Sequence, residues 1–240
     1  MYNFLWEARL FLIEVAQFRE IELWKRLLFI VLSESKFQKL LKEFNYKKLS
    51  QVIEELKDSI TNEEVINSLD NSIHSVPKVK SLIIDTLVTL RTEQNISNKT
   101  FIELLKDFVI LLNESNYENN DNYDFFYEKE KEFDLYFKNK EYILENYIVY
   151  YLYGNFMIAL NSKDIHGVIV KMIIEYSIIK KLLLEKWNSN NKKLEDNNII
   201  EVLYSFSRTV EHNNIYIDKV YKIMKDASYD TMAYLTIMLR

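Results

Sequence analysis

Apolar positions in this chain recur mostly three and four residues apart and seldom alternate, so the elements they predict are helices. WEARLFLIEVAQ predicts a first helix, with Leu5, Arg9, Leu12 and Ala16 on one face and Trp6, Leu10, Ile13 and Val15 near it. Residues 22–44, ELWKRLLFIVLSESKFQKLLKEF, predict a long amphipathic helix whose buried stripe is Leu23, Leu27, Ile30, Phe37, Leu40 and Leu41. A third helix covers 47–59. Thr61 stands three residues before Glu64, the spacing of a capping box, so a short helix begins there. Pro77 suits the first turn of PKVKSLIIDTLVTLRTE, and Ser97 or Asn98 can cap NKTFIELLKDFVILLN.

The stretch 113–124, NESNYENNDNYD, has almost no aliphatic residue and predicts a polar loop or boundary. Residues 125–160 resume as one or two helices. The segment 165–187 is apolar almost all round, which places it in the middle of a bundle. A second polar loop, 187–198, leads to three shorter helices near 196–212, 215–226 and 229–239. The resulting expectation is an all-α, multi-helix bundle of about 9–11 helices. It divides into helical subdomains 1–112 and 125–240, the second built around the central helix 165–187. No internal repeat or sustained heptad is present.

Composition reinforces the helical reading. Among 240 residues there are two glycines (Gly154, Gly167) and one proline (Pro77), too few for the tight turns of a strand-rich fold. The surplus of Asn, Lys, Ile and Tyr has the look of an AT-rich genome. Four charges, Lys171, Glu175, Lys180 and Lys181, interrupt the most apolar stretch, which argues against a membrane span. MYNFLWEARL lacks the features of a secretory leader, so the expectation is a soluble cytoplasmic protein. A net charge of −5 disfavours nucleic acid as a partner.

Several chemistries are excluded by what the chain lacks. Without a Gly-rich loop there is neither a P-loop nor a dinucleotide-type βαβ turn. With no cysteine the chain offers no disulfide, thiolate metal site or Cys nucleophile. His74, His166 and His212 are far apart in sequence and none lies in an H-E-x-x-H pattern. No self-contained catalytic site is visible, and the catalytic residues stay unassigned.

Four candidates remain, each with a plain structural alternative. In VLYSFSRTVEHNN, a helical 196–212 puts Ile199, Leu203, Phe206 and Val210 on one stripe. Glu201, Ser205, Arg208 and His212 then lie about 200° away, with Glu211 beside them. That polar stripe faces either water or a partner. In ENYIVYYLYGNF, Tyr147, Tyr150, Tyr151 and Tyr153 either line a cavity with Glu145 and Asn146 or form a tyrosine-rich packing surface. There, Gly154 allows close helix packing or a bend. Glu175, if buried, calls for a partner such as Lys171 or Lys180. Residues 113–145 carry ten acidic residues against four lysines, either an attractor for a basic substrate or a solvated face.

Four blocks resemble, in order, those of the flagellin lysine-N-methylases. They are 5–32 with Arg9, Gln17, Arg19, Glu20 and Arg26, the ENY block 145–156, the stretch 173–184, and the FSR–EHN block 202–213. The likeness is to the helical region that follows the family's cysteine-rich segment. It implies methylation of flagellin lysine ε-amino groups with S-adenosylmethionine, and an iron–sulfur centre held by the N-terminal cysteine-rich segment. Because this chain has no cysteine, it is either the C-terminal portion of a longer protein or a member that has lost the chemistry. Arg208, Glu211 and His212 together with Glu145, Asn146, Tyr147 and Tyr150 form the candidate functional surface. The alternative is a non-catalytic helical protein–protein interaction module.

Overall fold

The computed structural model describes residues 1–71, 98–114, 121–211 and 214–239. Along the chain lie α1 (Tyr2–Ala16), α2 (Leu23–Lys42), α3 (Leu49–Ile60), α4 (Glu63–Asn71), α5 (Lys99–Glu114) and α6 (Asp121–Phe137). They are followed by α7 (Glu141–Asn155), α8 (Ile165–Ser189), α9 (Asp196–Phe206), α10 (Asn214–Asp226) and α11 (Met232–Leu239), with short 3-10 and π turns between some of them. No strand occurs among the described residues, and the fold is all-α. The helix expected from Pro77 lies outside them.

Local chemistry explains where the helices start and stop, with some departures from expectation. The start of α4 is capped by Asn62, whose Oδ1 accepts the N–H groups of Glu64 at 2.9 Å and Val65 at 3.4 Å. Thr61, expected to be the cap, instead donates its hydroxyl back to the carbonyls of Lys57 and Asp58. A capping box needs its hydroxyl aimed forward, and Thr61 still has helical backbone angles at the end of α3. Asn98 does cap α5, accepting from the Phe101 N–H at 3.3 Å. Residues 113–114 and 121–124 of the expected polar loop are helical, as are 187–189 at the second. A polar composition does not by itself break a helix.

Left-handed backbone occurs at Phe44, Lys163, Asn191, Lys192 and Ser228, with φ of 54 to 60°. None is glycine, so a chain poor in glycine accepts the steric cost of this conformation at its turns. Gly154 does not provide close packing: a Cβ placed there would meet nothing within 4 Å.

Two compact units alternate along the sequence, whereas the polarity pattern predicts consecutive halves. Unit 1 comprises Met1–Ser75, Glu141–Ile174 and Tyr229–Arg240, and unit 2 comprises Val76–Lys140 and Glu175–Ser228. In unit 1, α1 packs against α2 and α7, while α11 packs against α2. Leu5, Leu12, Leu27, Ile30, Phe37, Leu152 and Phe156 fill its core. The face predicted for α1 is the buried one, including Arg9 at 4% exposure, and all six predicted stripe residues of α2 are buried. In unit 2, α9 packs on α5, and Phe133 meets Trp187 edge-on at a centroid distance of 5.7 Å. Helix α8 contributes residues to both units, and no residue from Ile165 to Trp187 is exposed. Even so, no helix among the described residues is long and apolar enough to cross a membrane.

Candidate functional site

Unit 1 holds a buried ionic cluster built by three helices and one connection. Glu141 and Glu145 are four residues apart, so α7 presents both on one face. Arg19 lies in the connection between α1 and α2, and Arg26 lies in the first turns of α2. Arg19 grips the Glu145 carboxylate with Nε and Nη2, at 3.0–3.1 Å and 2.7 Å. Arg26 Nη1 donates to the same carboxylate at 2.7 Å and to the carbonyl of Ala16 at 2.6 Å. The second bond places a cation on an unpaired carbonyl at the C-terminus of α1, where the helix dipole favours it. Glu141 accepts the Leu23 N–H at 3.3 Å, a helix-start donor for which Glu22 makes no side-chain cap.

The electrostatics follow from this geometry. Burial pushes the Glu145 carboxyl up, but hydrogen bonds and positive charge from Arg26 and Arg19 outweigh it. The group is held below the ordinary carboxylate range, and the Arg19 guanidinium is pushed further up by its bond to Glu145. A general base at neutral pH needs a pKa near 7 and an accessible lone pair. Glu145, 1% exposed and gripped by two guanidinium groups, is instead suited to locking helices together.

The rest of the ENY block divides between the outer and the buried face of α7. Asn146 is exposed, Tyr147 is half-buried, and Tyr150 is 57% exposed with its ring centroid 6.4 Å from that of Tyr147. Tyr151 turns inward, its hydroxyl donating to the Val168 carbonyl at 3.4 Å. Arg9 reaches up from α1 between two rings, with its Cζ 4.2 Å from the Trp6 centroid and 4.9 Å from that of Tyr153. Its Nη1 donates to the Tyr153 carbonyl at 2.9 Å.

A third cluster was not singled out from sequence. His166, at the start of α8, places Nδ1 3.1 Å from Glu34 and Nε2 3.6 Å from Asp230. The hydrogen bond to Glu34 raises the imidazole above its ordinary value; burial opposes this, and the charges of Glu34, Asp230 and Asp164 support it. Beside it, the Gln38 side chain accepts the N–H groups of Ile165 and His166 and donates to the Lys163 carbonyl. The available signal is Glu34 and Gln38, a polar pair at four-residue spacing on the buried side of the amphipathic helix α2.

Arg208 belongs to unit 2, in the π turn Ser207–Glu211 that continues α9. It is exposed and donates to the Tyr204 hydroxyl at 3.4 Å. The side chain of Glu211 and the whole of His212 lie outside what is described. The stripe drawn as wholly polar is not wholly wet. Ser205 is 2% exposed, and Asn98 donates to the Ser205 carbonyl and the Thr209 hydroxyl. Ser205 precedes the π turn; α9 packs on α5 and Asn98 reaches the Ser205 carbonyl, a tertiary contact that helical periodicity does not encode. Among the described residues of the acidic region, three carboxylates in unit 2 have lysine partners. Glu130 pairs with Lys181, Asp134 with Lys180 and Glu132 with Lys192. Glu175 is buried, and Lys180, one of the two lysines expected as its partner beside Lys171, also reaches Asp134.

The arrangement defines an all-helical domain whose charged blocks mostly hold helices together. Among the described residues no group of three His, Asp or Glu is placed to hold a metal ion. The family model for the FliB lysine N-methylase C-terminal domain matches residues 9–238, and the chain belongs to that family. No curated protein and no solved structure matches the chain.

Proposed function

We propose that this chain is the helical, substrate-facing portion of a cytoplasmic flagellin lysine-N-methylase, the family that its match over residues 9–238 supports. The reaction is transfer of a methyl group from S-adenosylmethionine to lysine ε-amino groups of flagellin. The iron–sulfur centre implied by the resemblance requires thiolate ligands, and this chain has no cysteine. Its residues therefore do not fit such a cluster, and the methyl-transfer chemistry belongs to a cysteine-bearing segment or partner outside these 240 residues. The chain's own contribution is a rigid helical frame, locked at Glu145, that presents a surface to the protein substrate.

The test is an anaerobic methylation assay on unmodified flagellin, read by mass spectrometry of its lysines. The chain alone with S-adenosylmethionine is expected to leave flagellin unmodified, and adding the cysteine-bearing protein from the same genome is expected to restore methylation. Methylation by the chain alone would overturn the division of labour. A full set of components that leaves flagellin lysines untouched would overturn the substrate assignment.

A further inference from the structure

Exposed large apolar side chains are concentrated on one part of unit 1. Half of those among the described residues lie on α1, α7 and the residues bordering them. Tyr2, Trp6 and Leu10 follow one another at four-residue spacing on α1, at 54, 39 and 49% exposure. On α7 and the turn after it come Tyr150, Tyr153 and Ile158, at 57, 66 and 55%. Since α1 packs against α7, Trp6, Arg9 and Tyr153 form a continuous strip, with Leu10, Tyr150 and Ile158 carried on the same two helices and the turn after α7. Tyr2 extends it by stacking on Trp6 at 6.1 Å. An aromatic strip of this extent marks a contact surface for a partner.

The charges around the strip select that partner. The only cation on α1 or α7 is Arg9, which is 4% exposed and already held by the two rings. Of the carboxylates on these helices, Glu145 and Glu141 are engaged by arginine and Glu14 by Lys57, while Glu7 is exposed beside Trp6. These two helices give the strip aromatic faces, one exposed carboxylate and no exposed Lys or Arg side chain, which disfavours phosphate and anionic lipid as partners. It suits an ammonium carried on an apolar segment. Arg9 shows the attraction at work, as its guanidinium lies over the faces of Trp6 and Tyr153.

We infer that the strip formed by Tyr2, Trp6, Leu10, Tyr150, Tyr153 and Ile158, with Glu7 at its side, is the docking face for a lysine-bearing segment of flagellin. This inference rests on the proposed function and adds to it the surface that engages the substrate. Lysine stems pack along the rings, and their ammonium groups meet the ring faces and Glu7.

The test measures binding of the full chain to purified monomeric flagellin from the same organism, by isothermal titration calorimetry. The triple variant Tyr2→Ser, Leu10→Ser, Tyr150→Ser leaves the Arg9 sandwich intact and is expected to weaken binding roughly a hundredfold. Glu7→Lys, a single exposed change that leaves the core untouched, is expected to weaken it roughly tenfold. Acetylating the flagellin lysines is expected to weaken binding to the wild-type chain comparably. If flagellin binds the folded variants as tightly as the wild type, the docking face is overturned while the substrate assignment stands. If the wild-type chain does not bind flagellin, both fall together. A dimer seen by light scattering that the triple variant abolishes would assign the strip to a second copy and overturn the inference.

Discussion

Arg26 and Arg208 each interrupt an apolar helix and each belongs to a block that carries the family resemblance, yet their surroundings are opposite. Arg26 is 2% exposed, bonds a carbonyl of α1 and shares the Glu145 carboxylate with Arg19. Arg208 is exposed and makes one long contact to a tyrosine four residues away. The difference lies in what each side chain meets across the fold. A carboxylate from a helix more than a hundred residues away turns a charge into framework, and without one the same residue type stays on the surface.

The largest expected effect is therefore at Glu145. Glu145→Ala removes the carboxylate hydrogen-bonded to buried Arg26, leaving Glu141 at 3.6 Å as its remaining counter-charge, and is expected to cost about 3 kcal/mol, read as a fall in the urea midpoint. A loss below 1 kcal/mol would show that the cluster is not framework. Within unit 2, Thr209→Val removes an acceptor for the Asn98 amide and is expected to cost about 1 kcal/mol. Arg208→Ala is expected to change stability by less than about 0.5 kcal/mol, and a larger loss would erase the contrast between the two arginines.

The pH dependence sharpens the same comparison within unit 1. His166 is raised above its ordinary value, so its contribution is full below about pH 6.5 and is lost as pH rises through the raised folded value. Wild type and His166→Gln are expected to differ most in acid and to converge in alkali, as read by urea midpoints across pH. Glu145 behaves in the opposite sense. Its lowered value makes its contribution present at neutral pH and lost as pH falls below the carboxylate range.

The helices were legible in the sequence because burial writes itself at three- and four-residue intervals. Leu5, Arg9, Leu12 and Ala16 are all buried as that spacing predicts. The ion clusters were not legible as sites. Arg19 and Arg26 stood out only as part of a familiar block, and their carboxylate lies in another block. Pairing is a property of tertiary contact, which periodicity does not encode. The burial of Ser205 was hidden for the same reason, since it follows from the packing of α9 on α5 and the reach of Asn98. Glu34 and His166 needed both lessons, a polar pair within an apolar stripe and a partner 132 residues along the chain.

The interleaving of the two units has a consequence for synthesis. Unit 1 contains residues from Met1 onward and also Tyr229–Arg240, so the latter segment must be made before the unit can be complete. The Arg26–Glu145 bond spans 119 residues, and Asp230 joins His166 only when the final segment has been made. While the ribosome is still adding the residues of unit 2, the N-terminal helices wait with Arg26 unmatched and their apolar face uncovered. Closure over so long a separation is slow, and chaperone occupancy of the nascent chain is expected to persist until residues 229–240 have emerged.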